Sequence, residues 1–245
     1  MSRDSSLPAA LRHSLLSDTR RHALRQRLHR LRRPAWLGTI RRTTPLSDHW
    51  GFERGTPVDR YYIEHFLARE SARIRGRVLE VADSGYTRRF GYEVVRSDVL
   101  DIDTTNPTAT FVADLAAADA VPSDTFDCLI LTQTLQYVFD LPAALGHVHR
   151  ILRPGGTVLC TVPAASRIGS RYLETEYWRF TAASASRLFE DAFGEDAVTV
   201  YARGNVLACV AFLVGMSAEE LSRGELESDD EFFPLVVTVR ATKQG

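Results

Sequence analysis

Arg77-Val78-Leu79-Glu80-Val81-Ala82-Asp83-Ser84-Gly85 reads as a short apolar strand that runs straight into a turn of small residues. Val78, Leu79 and Val81 are apolar and β-favouring, as a strand buried on both faces of a parallel sheet requires. Ala82, Ser84 and Gly85 lack bulk, so the backbone there can approach a ligand beyond the strand's carboxyl end. Many α/β proteins carry such a turn. What gives this one weight is the order of the segments on either side.

Downstream, residues 86–91 leave room for a brief helix, and residues 92–98 form a second strand closed by Asp98. An acid at that place in a doubly wound sheet can accept hydrogen bonds from both hydroxyls of a ribose, although capping the next turn is the plainer role. Residues 110–115 give a third strand with Asp114 near its end, and residues 126–131, nearly all apolar, a central fourth. A helix over 141–152 is closed by Arg153-Pro154-Gly155-Gly156, because Pro and Gly stop a helix and glycine accepts left-handed geometry. A fifth strand over 157–162, a helix over 182–193 and a sixth strand over 198–202 follow. A largely buried helix over 205–221, an acidic loop and an edge strand over 235–241 complete the pattern. Strands alternating with helices predict a doubly wound, Rossmann-like α/β fold with a seven-stranded, mostly parallel sheet in a single domain.

Upstream, Tyr62 with Phe66 and Ile63 with Leu67 recur at i and i+4, which predicts a helix over 58–73. The loop before it mixes Pro45, Gly51, Gly55 and Pro57 with His49, Trp50, Phe52, Arg54 and Asp59. That mixture suits a lid or pocket wall, and equally a loop that covers the sheet edge. Residues 1–42 hold 11 arginines against 2 aspartates, in a chain whose net charge is −1, so a basic arm precedes an acidic body at 43–245. Leu11, Leu15, Leu24, Leu28 and Leu31 give the arm an amphipathic helical pattern that Pro34 ends. It reads as a solvated arm that packs on its own domain or on a second copy, or that meets another partner. An anionic membrane surface is the alternative. Nucleic acid is disfavoured, since no aromatic residue precedes Trp36 and no binding motif is present.

The chain has 245 residues, 44% of them hydrophobic, enough for a sizeable core. Cys128, Cys160 and Cys209 are isolated within apolar stretches and lack metal-ligand spacing, so no metal is expected and a reducing cytoplasm is. The longest apolar run, 206–216, is too short to cross a bilayer as a helix.

Taken together these segments resemble a class I S-adenosylmethionine-dependent methyltransferase. The resemblance rests on Val78-Leu79-Glu80-Val81, Asp98, Asp114-Leu115 and Phe126-Asp127-Cys128-Leu129-Ile130. Its strongest element is Arg150-Ile151-Leu152-Arg153-Pro154-Gly155-Gly156-Thr157-Val158-Leu159. Tyr177-Trp178-Arg179-Phe180-Thr181 is similar to a segment of small-molecule members. The family places glycines at alternate positions after the first acid, whereas this chain has Ala82, Ser84 and Tyr86, with Gly85 out of register.

The resemblance implies S-adenosyl-L-methionine as cofactor. Glu80 and the Ala82, Ser84, Gly85 and Tyr86 turn would hold its methionine part, Asp98 its ribose, and Asp114 with Leu115 its adenine. Thr132 and Gln133 would lie beside the sulfonium, and the segment 49–62, with Arg54 and Tyr62, would close over it. Trp50, Tyr137, Tyr177, Trp178 and Arg179 would shape the acceptor pocket. An oxygen acceptor benefits from a general base, for which His49, Asp59, Gln136 and Glu176 are the candidates. The expected activity is O-methylation of a small molecule such as a sugar or secondary metabolite. Two alternatives stay open: an inactive accessory or binding protein on the same fold, and an enzyme that keeps the cofactor for a different reaction.

Overall fold

A computed structural model describes Gly38, Arg41 and residues 43–245. The basic arm and its predicted helix over 9–32 lie outside the described residues. Thr44–Gly245 forms a compact unit.

Seven strands make one sheet in the order β3-β2-β1-β4-β5-β7-β6. They are β1 (Gly76–Val81), β2 (Val94–Asp101), β3 (Phe111–Val112), β4 (Phe126–Thr132), β5 (Leu152–Pro163), β6 (Val198–Arg203) and β7 (Val236–Thr242). β1 to β5 pair in parallel, and β7 runs antiparallel between β5 and β6. The helices are α1 (Val58–Arg69), α2 (Gly85–Phe90), α3 (Leu141–Ile151), α4 (Ala182–Phe193), α5 (Val206–Val214) and the short α6 (Arg223–Glu227). The predicted α/β doubly wound sheet is therefore the observed one.

Alternation along the central strands feeds two cores. Leu79, Leu129, Leu131, Val158 and Cys160 pack on one face against Leu145 and Val148 of α3 and Phe189 of α4. Val78, Cys128, Ile130 and Leu159 pack on the other against Tyr62, Ile63 and Phe66 of α1 and Phe212 of α5. A period of two on a strand with both faces covered produces this split. Strand order reverses between β1 and β4, and the carboxyl ends there open a crevice, the usual ligand position of an open α/β sheet.

Five segments depart from the expected bounds. The helix expected over 58–73 stops at Arg69, and a 3₁₀ turn follows at Ser71–Arg73. β2 runs on to Asp101, because the turn-forming run Asp103-Thr104-Thr105-Asn106-Pro107 begins only later. β3 shrinks to two residues, and Asp114 instead caps a short 3₁₀ turn, its side chain accepting from the Ala116 amide at 2.9 Å. β5 begins at once after α3, so Arg153-Pro154-Gly155-Gly156 bulges out of the strand rather than separating it from the helix. Phe126 pairs with Leu152 and Cys128 already with Thr157. Gly155 takes φ +80°, and a Cβ on Gly156 would lie 2.8 Å from the Phe126 carbonyl oxygen. Finally, the helix expected over 205–221 stops at Val214. Gly215, at φ +82°, turns the chain, with its own position closed off by Ser47. This helix is also not largely buried: Ala208, Ala211 and Phe212 face the core, whereas Val206, Leu207 and Leu213 are exposed. Among the described residues no helix is long and apolar enough to cross a membrane.

Candidate functional site

The crevice over β1, β2, β3 and β4 opens into a cavity of about 950 Å³. Its floor is built from strand ends: Glu80 to Asp83 after β1, Leu100 to Ile102 after β2, Ala113 to Leu115 after β3, and Thr132 to Thr134 after β4. Arg60 and Glu64 of α1 form one wall with Tyr86 and Arg89 of α2; Tyr137, Val138 and Tyr172 form the other.

Glu80 ties the turn to the helix that follows. Its carboxylate is 3% exposed and accepts from the Tyr86 amide at 3.0 Å, the Thr87 amide at 2.8 Å and the Thr87 hydroxyl at 2.7 Å. Burial pushes the Glu80 carboxyl above the usual carboxylate range, and the Thr87 bonds oppose that rise. Ala82 occupies the first glycine position of the family pattern and adopts glycine's geometry, φ +71°. Its amide donates to the Leu100 carbonyl at 2.9 Å and its carbonyl accepts from Asn106 Nδ2 at 2.8 Å, which hold the strained residue in place.

Tyr86 does not crowd the crevice from its floor. Its hydroxyl accepts from Arg60 Nη1 at 2.9 Å and its ring stacks on Phe90, so it stands in the wall. Among the described residues the Arg60 guanidinium makes no other hydrogen bond, which leaves donors for an anion in the cavity. Arg89 is already paired with Glu64.

Several expected site residues line the cavity: Glu80, Ala82, Gly85, Tyr86, Asp114, Leu115, Thr132, Gln133 and Tyr137. Ser84 does not; its hydroxyl accepts from Arg88 in the first turn of α2. Asp98 is a clear correction. It lies inside β2, 1% exposed, clamped by Arg77 Nε at 2.7 Å and Arg96 Nη2 at 3.0 Å, and it reaches no part of the cavity. Asp101 stands where Asp98 was expected. One of its oxygens accepts from Asn106 Nδ2 at 2.6 Å and the other from the Asp103 amide at 3.0 Å. In-register pairing of Val81 with Leu100 carries the strand end to that point.

Arg54 and Tyr62 also fall outside: Arg54 is forked on Glu220, and the Tyr62 hydroxyl donates to the Leu226 carbonyl from within the core. Trp50, Tyr177, Trp178 and Arg179 stand off the cavity. Trp50 stacks under Arg167, and Arg179 is paired with Glu176 at 2.8 Å.

None of the four candidate bases lines the cavity. His49 is on the surface. Asp59 has one buried oxygen with no partner, and burial raises its pKa. Gln136 is buried beneath the turn, with Nε2 donating to the Gln133 carbonyl at 2.9 Å, and Glu176 is held by Arg179 and the Gly169 amide. Gln133 itself takes φ +48°, and its backbone amide donates a hydrogen bond to the Thr161 carbonyl at 2.8 Å.

Asp101, Ile102 and Tyr172 were missed from sequence; Arg60 falls in the segment 49–62 expected to close over the cofactor, which also lines the cavity through Phe52 and Thr56, but was not singled out. Arg60 and Glu64 were visible as an i, i+4 pair on the polar side of α1, and Ile102 as the last apolar residue before the turn.

Five carboxylates (Glu64, Glu80, Asp83, Asp101, Asp114) and two arginines line the cavity, an excess that favours a ligand with a cationic part. Among the described residues no group of three or more His, Cys, Asp or Glu is arranged to hold a metal ion.

A family model described as "Methyltransferase domain" matches residues 49–193. No curated protein matches the chain. Among solved structures, a SAM-dependent methyltransferase from Archaeoglobus fulgidus is similar with a TM-score of 0.51 at 14% identity, covering 75% of this chain and 94% of that one. The [4+2]-cyclase SpnF is similar with a TM-score of 0.54 at 14% identity, covering 78% of this chain and 83% of that one. At such identity both likenesses are to the fold.

Proposed function

This chain belongs to the methyltransferase-domain family, and from that premise we propose that it is an S-adenosylmethionine-dependent methyltransferase acting on a hydroxyl group of a small molecule. One observation carries the reading: an acid-rich cavity over the strand-order switch, with a carboxylate at the end of β2 and a glycine-like backbone after β1. When bound, the cofactor would supply a methyl group on a positively charged sulfur; the sulfur would leave as a neutral thioether as the acceptor oxygen takes the methyl, its proton passing to solvent.

The residues fit that group. Asp101 presents a carboxylate for the ribose diol, Asp114 and Leu115 with Ile102 border the adenine position, and the acidic lining suits the sulfonium. The Ala82 to Gly85 backbone approaches the methionine part, and the free donors of Arg60 suit its carboxylate. We assign Thr132 and Gln133 to the sulfonium, and Tyr137 and Tyr172 to the acceptor end, as lining residues of the one cavity. What the protein contributes is placement and exclusion of water, which supply much of the acceleration when the methyl group is already activated. We assign the work to the cytoplasm, where the three unpaired cysteines stay reduced.

A second reading is favoured by the absence of His49, Asp59, Gln136 and Glu176 from the cavity lining. An enzyme that keeps the cofactor for a reaction without proton transfer needs no such base, and the cyclase among the structural likenesses illustrates that this fold is not tied to one reaction. Incubation with S-adenosylmethionine labelled at the methyl group and a panel of hydroxylated small molecules separates the two. Label in a product supports methyl transfer; product formation without label transfer supports the second reading.

A further inference from the structure

Phe139 follows directly on Val138 of the cavity wall and is 70% exposed. Its ring lies 5.9 Å from that of Trp178 at 29° and 5.2 Å from that of Tyr177 at 74°, a near-parallel and an edge contact. The turn that bears Tyr137 also fixes this group. Trp178 Nε1 donates to the Val138 carbonyl at 3.0 Å, and the Gln136 carbonyl accepts from the Tyr177 and Trp178 amides at 2.8 and 3.3 Å. Inward, Tyr137 and Tyr172 continue the aromatic surface, their rings 4.6 Å apart. The result is a shelf of ordered rings leading to the cavity mouth. An exposed apolar surface next to a cavity marks a ligand surface.

Three charged residues beside the shelf are already used. Glu176, whose side chain is 3% exposed, pairs with Arg179 and accepts from the Gly169 amide at 3.0 Å. Arg179 donates in addition to the carbonyls of Trp178, Ser166 and Arg167. Asp140 caps α3, accepting from the Ala143 amide at 3.0 Å. A sugar stacked on aromatic rings also needs polar side chains free to bond its hydroxyls, since each one desolvated without a partner costs binding. A charged acceptor needs an unpaired countercharge. Glu176, Arg179 and Asp140 meet neither requirement, so what faces a ligand here is ring surface, with the Tyr172 and Tyr177 hydroxyls as its polar groups.

We propose that the acceptor is an uncharged aromatic molecule. Its ring system lies on the shelf of Phe139, Tyr177 and Trp178, and its hydroxyl points past Tyr137 into the cavity. This rests on the reading of the cavity as a methyl-transfer site. An aromatic hydroxyl also suits a cavity lined by none of the candidate bases, because it ionises near pH 10, about as tyrosine does.

The test uses the full chain, titrated first with S-adenosylhomocysteine and then with either 2-naphthol or methyl β-D-glucopyranoside. The proposal expects 2-naphthol to bind and the glucoside not to bind at the same concentrations. Phe139→Ser, at an exposed position, should weaken 2-naphthol at least about five-fold while S-adenosylhomocysteine binds as before. The proposal is overturned if the glucoside binds in preference, if neither probe binds, or if Phe139→Ser holds 2-naphthol as tightly as the parent. Absent S-adenosylhomocysteine binding overturns the cofactor reading instead, and 2-naphthol titrated alone then still tests the shelf.

Discussion

Asp98 and Asp101 lie three residues apart on one strand and have opposite surroundings. Asp98 is consumed by Arg77 and Arg96, whereas Asp101 ends the strand at the cavity. Asp101→Ala is therefore expected to weaken S-adenosylhomocysteine binding by about 2–4 kcal/mol, the worth of two charge-assisted hydrogen bonds, with little effect on melting. Asp98→Ala leaves two arginines beside an emptied buried site. It should lower the melting temperature by roughly 10 °C and leave the affinity within a few-fold, as breaking a buried ion pair costs about 3–5 kcal/mol. Calorimetry and thermal melts on both variants check the pair. Glu80 gives a pH signature. Its folded pKa is raised above the ordinary 4.5, so its contribution to stability is fully present below that value and declines as pH rises through the folded pKa. Glu80→Gln does not titrate, so its deficit in melting temperature relative to the parent should shrink between about pH 4 and pH 7. A deficit that grows with pH would contradict the assignment.

At the scale of elements, glycine geometry decides where segments stop. Gly215 ends α5 at φ +82°, and a Cβ there would meet Ser47 atoms at 2.7–2.8 Å. Gly215→Ala should cost at least about 2 kcal/mol, from the left-handed backbone and the collision together, seen as a drop of several degrees in melting temperature. The sequence showed Gly215, but the apolar run on both sides of it hid the stop, since Val206 to Met216 reads as one buried helix. Only the tertiary neighbour Ser47 reveals why that residue must lack a side chain. The central elements were legible because their signals are local: nearly continuous apolar runs in β1 and β4. The end of β2 was not, because an acid preceded by a β-favouring run resembles a strand end wherever it occurs. Register against β1 settled it. The candidate bases fall outside the cavity lining for a related reason: whether a side chain points into a crevice depends on packing between segments far apart in sequence.

For the whole molecule, Thr44–Gly245 carries both cores and the cavity. We propose that the domain boundary lies near residue 43 and that the basic segment before it serves contact with a second copy or a partner. Residues 44–245 alone should then melt within about 10 °C of the full chain, since a larger shift is several kcal/mol for a domain of this size. The same cavity unites the arguments about cofactor, acceptor and family, and its content is the central claim. The most direct measurement is calorimetric titration of S-adenosylmethionine and S-adenosylhomocysteine into protein freed of bound ligand. Saturable one-to-one binding of both, abolished or strongly weakened in Asp101→Ala, is the predicted result; no heat from either at about millimolar ligand, affinity below roughly 4 kcal/mol, would contradict the account.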